Sequence, residues 1–126
     1  MRIVVDIRNG IFRDAVVRTL RDYSSDFEAY ACESPAKTIE LCTAANADVL
    51  LMEVTDYSLF KLENRMVIRD RVKEENPACK VVLVVDENSE RNLADQIRAT
   101  KKEGRIDQFV YGSISSDYLA AVIDTL

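Results

Sequence analysis

Three acids stand where a carboxylate could do chemistry. Asp6, Glu53 and Asp86 each close, or nearly close, a run of apolar and β-branched residues: IVVDI, VLLMEV and KVVLVVD. An acid at the end of a buried strand is either turned into water or held by a partner, because desolvating an unpaired charge is costly. Together the three could supply oxygens to a weak divalent-cation site. The chain has no histidine, so the commonest general base and metal ligand is missing. Its cysteines, Cys32, Cys42 and Cys79, are odd in number, widely spaced and not arranged as CxxC. They read as small core residues in a reducing compartment, not as a disulfide framework or a zinc site.

Strands and helices must position these acids. Ile3–Ile7 reads as a strand, followed by a helix with Phe12, Val16 and Leu20 at spacing four and Ile11 and Ala15 beside them. FEAYAC (27–32) is a second strand, and Ser34-Pro35 starts a helix that carries Ile39 and Cys42 and ends near Asn46. VLLMEV is the third strand. Leu59, Leu62, Met66 and Val72 continue as a helix to the stop at Asn76-Pro77. Lys80–Asp86 is the fourth strand, and Ser89 caps a helix with Leu93 and Ile97 that ends by Gly104. Its closing Lys101-Lys102-Glu103 reads as a solvated helix end. IDQFVY (106–111) is the fifth strand, and Ser115 or Ser116 caps a last helix through Leu119, Val122, Ile123 and Leu126.

Five βα units, two of whose strands are apolar on both faces, predict an α/β fold: a doubly wound (βα)5 three-layer sandwich around a five-stranded parallel sheet. Ligands of such folds sit beyond the C-terminal strand ends, where the three acids fall. The 126 residues are expected to form one domain, 1–126. A net charge of −5 argues against non-specific binding to nucleic acid or anionic membrane. No apolar run approaches a bilayer span, and MRIVVDIRNG is too soon charged for a secretory signal. The expected location is therefore the cytoplasm.

With these elements in place, the chain resembles the receiver domains of bacterial two-component response regulators, a flavodoxin-like, CheY-like fold. NGIFRDAVVRTL is similar to the first helix of receivers attached to helix-turn-helix transcription factors. ADVLLMEV is similar to the third strand, whose last acid is the phosphorylated aspartate. VVLVVDENSE resembles the fourth strand and its loop, and FVYGSISSDYLAAVI the fifth strand, its loop and the final helix. The family's reaction passes a phosphoryl group to that aspartate. It uses magnesium held by an acidic pair, a Ser or Thr after strand four and a Lys after strand five, so electrostatics dominates.

The resemblance implies that this machinery is altered here. The phosphoacceptor position holds Glu53. Registering the first helix on IFRD places the acidic pair at Ile7 and Arg8, and a slip of one residue brings Asp6 there instead. The hydroxyl position falls on Val85 and the lysine position on Gly112, while the switch aromatic is kept as Phe109. Glu53 is one methylene longer than aspartate, enough to disturb an in-line transfer. Arg8 is expected to replace the magnesium ion by pairing its guanidinium with Glu53.

The plainer readings are a strand-end Glu53 touching water, a solvated Arg8, a core Phe109 and a polar loop at Asp86–Ser89. The expected function is that of an atypical receiver, a pseudo-receiver: no enzyme, no cofactor, no resident metal, and a phosphorylation-independent protein-interaction module. It would regulate transcription through a domain outside this chain, which alone would contact DNA. Its partners would be proteins, including a homodimer through helix 4, strand 5 and helix 5, where Tyr111 and Tyr118 lie; ordinary surface tyrosines are the alternative. The alternative function is an active receiver in a phosphorelay, phosphorylated at Asp6, Asp56 or Asp86. A flavodoxin-like nucleotide or flavin binder is weaker, because the first βα turn, RNG, lacks a glycine-rich phosphate loop and the chain has no Trp.

Overall fold

Alternating β-branched runs and amphipathic helices fold into the order β1 (Arg2–Asp6), α1 (Gly10–Tyr23), β2 (Glu28–Ala31), α2 (Thr38–Ala45), β3 (Val49–Val54), α3 (Leu62–Glu75), β4 (Lys80–Val85), α4 (Arg91–Lys102), β5 (Gln108–Tyr111) and α5 (Ser116–Asp124). This computed structural model describes residues 1–85 and 91–126, and only the backbone of residue 91. All strand pairs are parallel, in the order β2-β1-β3-β4-β5. Asp86 and the expected cap Ser89 lie outside the described residues.

Period-two alternation divides each central strand between two cores. Ile3, Val5, Leu51, Val82 and Val84 face α1 and α5, meeting Val16, Leu20, Leu119 and Ile123. Val4, Leu50, Met52, Leu83 and Val85 face the other helices, meeting Cys42, Met66, Val72 and Ile97. The register sets Asp6 beside Met52 and Glu53 beside Val84. Asp6 therefore shares the α2/α3 face with Val4, and Glu53 the α1/α5 side with Leu51.

Several local expectations shift in the fold. Ile11 is 85% exposed and Val17 takes its place in the buried stripe of α1. Asn9 caps that helix by accepting from the Phe12 N–H. Ser34 and Pro35 open a 3-10 turn (Pro35–Lys37) that runs into α2, which ends on a left-handed Asn46 (φ 51°). Leu59 lies in a separate 3-10 turn (Ser58–Phe60) and is exposed, not part of the α3 stripe. Ser115, rather than Ser116, caps α5.

The open edge of β2 is guarded. The N–H groups of Glu28 and Cys32 donate to Met1 and Val5, so by alternation Ala29 turns its carbonyl outward. There the Arg21 guanidinium donates to it twice, at 2.8 and 3.2 Å. A side chain thus occupies an acceptor that another strand would use.

All three cysteines are free and buried on the α2/α3/α4 face. Burial pushes the Cys42 thiol up to about 12 and the Cys79 thiol up to about 11, from an ordinary 9.0. Because the folded values are raised, both groups keep their full stabilising contribution below about pH 9, and it is lost as pH climbs towards 11 to 12. Stability should fall by up to ~1.4 kcal/mol per pH unit for each thiol above that point. Urea melts at pH 8 and pH 10 should show a smaller drop for Cys42→Ala than for the wild type.

Candidate functional site: a buried acid–base couple at the strand ends

The α2/α3 face of the sheet ends on a carboxylate with no access to water. Asp6 is 1% exposed and is met by Arg65, 0% exposed, reaching in from the first turns of α3. Arg65 Nη1 donates to Asp6 Oδ2 at 2.6 Å and Nη2 to Oδ1 at 3.2 Å, a bidentate fork. Nη2 also reaches the Asp6 carbonyl at 3.2 Å, and Nε donates to the Glu53 carbonyl at 2.8 Å. The Phe60 ring covers the guanidinium at 4.5 Å. Thr38, fully buried at the start of α2, donates its hydroxyl to Asp6 Oδ2 at 2.5 Å, and its oxygen lies 3.5 Å from Cys32 Sγ. Both charges are thus paired and their hydrogen-bonding groups engaged, the condition under which a buried ion pair persists.

Sequence reasoning missed Arg65. The signal was there: Arg65, Ile68 and Val72 fall at i, i+3 and i+7, and all three are buried on one stripe of α3. An arginine in an apolar stripe needs a buried acid, and among the described residues Asp6 is the one that is buried.

The expected partnership of Arg8 with Glu53 takes a different form. Arg8 donates its backbone N–H to Glu53 Oε1 at 2.9 Å, while its guanidinium lies 3.5 Å over the exposed Tyr57 ring. The reason is parity: Glu53 is turned away from the α2/α3 face, towards the start of the β1–α1 loop, where a main-chain donor is nearer. Glu53 is itself partly buried. Arg8→Ala should therefore cost only about 0.5–1 kcal/mol, the scale of an exposed cation–π contact, as read by chemical denaturation. The N–H bond to Glu53 survives that change.

The other candidates separate. Ile7 is 1% exposed and packs in the α1/α5 core, so it does not line a rim pocket. Val85 is 1% exposed in the opposite core. Gly112 donates its N–H to the Val85 carbonyl at 2.8 Å and brings no side chain to the rim. Phe109 is half-buried, edge-on to Tyr111 at 6.1 Å, with Lys101 Nζ 5.8 Å from its ring. Among the described residues, no group of three or more Asp, Glu, Cys or His is placed to hold a metal ion. Asp6 and Glu53, the two described acids of the expected site, point to opposite faces.

No protein-family model and no curated protein matches this sequence. Solved structures do match. A DNA-binding response regulator of the LuxR family from Staphylococcus aureus superposes with a TM-score of 0.76 at 14% identity, over 98% of this chain and 96% of that one. The fold is that of response-regulator receiver domains. The signal receiver domain of the putative response regulator NarL from Mycobacterium tuberculosis superposes with a TM-score of 0.71 at 21% identity, over 98% and 94%. A streptococcal protein, described as one of a family of redox sensors evolved from two-component response regulators, reaches 0.77 at 13% identity; this chain covers about half of it (98% and 49%). Within this receiver fold, β1 and β3 end at the rim where Arg65 binds the Asp6 carboxylate and the Glu53 main-chain carbonyl. Among the described residues no helix is long and apolar enough to cross a membrane.

Proposed function

We propose that this chain is a pseudo-receiver, a phosphorylation-independent interaction module and not an enzyme. One observation carries the reading: both oxygens of the Asp6 carboxylate are bound by the buried Arg65. An acid so neutralised has lost the net charge that draws a divalent ion, and its attached cation repels one. Glu53, at the acceptor position, is partly buried, bound to a main-chain N–H and directed to the other face. Electrostatic stabilisation of a transferring phosphoryl group would need charges that these contacts already hold.

Intact-mass measurement after incubation with acetyl phosphate and Mg²⁺ tests this directly. The expected result is an unchanged mass. A gain of one phosphoryl group, on Asp56 for instance, would instead establish an active receiver with a displaced acceptor.

Without the chemistry, shape recognition is what remains. The β5/α5 surface carries a shallow groove of about 250 Å³ lined by Phe109, Tyr111, Ile114, Tyr118 and Val122, with Tyr118 59% exposed. Tyrosine-rich apolar surfaces suit protein contacts, and the module would dimerise or dock a protein partner through α4, β5 and α5. The Staphylococcus aureus neighbour is a DNA-binding response regulator, which supports transcriptional control exerted through a domain outside this chain, in the cytoplasm. The streptococcal redox sensors carry the same fold, which supports its use under a signal other than aspartyl phosphate.

A further inference from the structure

The oxygens around Arg65 are not arranged around a point. Asp6 Oδ1, Oδ2 and carbonyl, and the Glu53 carbonyl, line the periphery of a flat cation, each opposite one of its N–H groups. The Phe60 ring covers one face at 4.5 Å. The Thr38 hydroxyl fixes the carboxylate from outside the fork. A spherical divalent ion wants oxygens converging on one centre at about 2.0–2.6 Å and makes no use of an aromatic face beside them. A guanidinium uses all of these groups together: bidentate carboxylate, in-plane carbonyls and a stacked ring.

We propose that the α2/α3 end of β1 is a receptor for a planar cation of the guanidinium class, and that Arg65 is its tethered resident. The receptor's walls come from β1, β3, α2 and the turn before α3, so its resident fastens α3 to the sheet in the way a bound ligand would. Tethering keeps the site filled, because a side chain of the same molecule presents a far higher effective concentration than any free cation. The assignment rests on the site's geometry and not on the phosphorylation-independent reading, so an unphosphorylated protein could still lack the receptor.

Arg65→Ala empties the site and tests the idea. The variant's melting temperature should fall by about 10 °C or more. Methylguanidinium at about 20 mM should then raise it by about 3 °C or more through binding to the folded state. The same concentration of methylammonium, Na⁺ or Mg²⁺ should leave the variant unchanged, and methylguanidinium should not stabilise the wild type. A folded variant that ignores methylguanidinium, or responds equally to methylammonium or Mg²⁺, would overturn the proposal. If the variant does not fold, the wild type decides by NMR. A guanidinium bound through Nε, Nη1 and Nη2 should show separately resolved Nη protons for Arg65 at 25 °C, whereas one averaged signal would overturn it.

Discussion

Asp6→Ala should lower the unfolding free energy by about 3–5 kcal/mol, the cost of leaving a buried charge without its partner. Arg65 Nη1 and the Thr38 hydroxyl lose their acceptor at once, and Arg65 Nη2 keeps only the main-chain carbonyl of residue 6. Arg65 is 0% exposed, so water does not compensate without local opening. Against a total stability of about 5–15 kcal/mol for a domain, such a loss brings the protein near its threshold. Asp6→Asn with Arg65→Met should recover most of it, because the charge is removed with its partner and Thr38 keeps an acceptor oxygen. Removing both members of a buried pair is often close to neutral. Urea denaturation of the single and double variants, with m unchanged, checks the comparison. A double variant as unstable as Asp6→Ala would mean that the loss comes from packing at β1 and not from the orphaned charge.

Ile97→Ala should cost about 2–5 kcal/mol and should act on α4 before the rest of the molecule. Ile97 is 0% exposed, whereas Leu93, one turn earlier, is only partly buried and Thr100, one turn later, is 8% exposed. On the α3 side, α4 borders an open groove of about 830 Å³ lined by Asp56, Glu63, Val67, Asp70 and Gln96 among others, so little packing there shares the load. Alanine is a better helix former than isoleucine, which makes any loss a packing loss. Hydrogen exchange of α4 amides should accelerate relative to β1, β3 and β4, reporting a local opening. Uniform acceleration across the sheet would show instead that α4 and the core unfold as one unit.

Much of the architecture was legible from local chemistry. The runs at 3–7, 49–54 and 80–85 are rich in Val, Ile, Leu and Met with a single charge each, which leaves little but buried parallel strands. The caps at Ser34 and Ser115 and the stop at Asn76-Pro77 mark where helices begin and end. The errors fell where two local signals competed. Ile11 and Leu59 match a helical period by spacing yet stand exposed, Ile11 in the first turn of α1 and Leu59 in the 3-10 turn before α3, because the core lies one helical position away or has not yet begun.

The site divides the same way. That Asp6 and Glu53 end strands, and that an arginine stands in the stripe of α3, is written in the sequence: strand alternation and helical phase depend only on neighbours along the chain. Which cation meets which acid is not. That choice depends on the β1–β3 register, which sets Asp6 beside Met52 and so turns Asp6 to α3 and Glu53 to the β1–α1 loop. Register joins residues 46 positions apart and reverses facing with a one-residue slip. Only the assembled sheet could assign Arg65, and not Arg8, to the buried carboxylate.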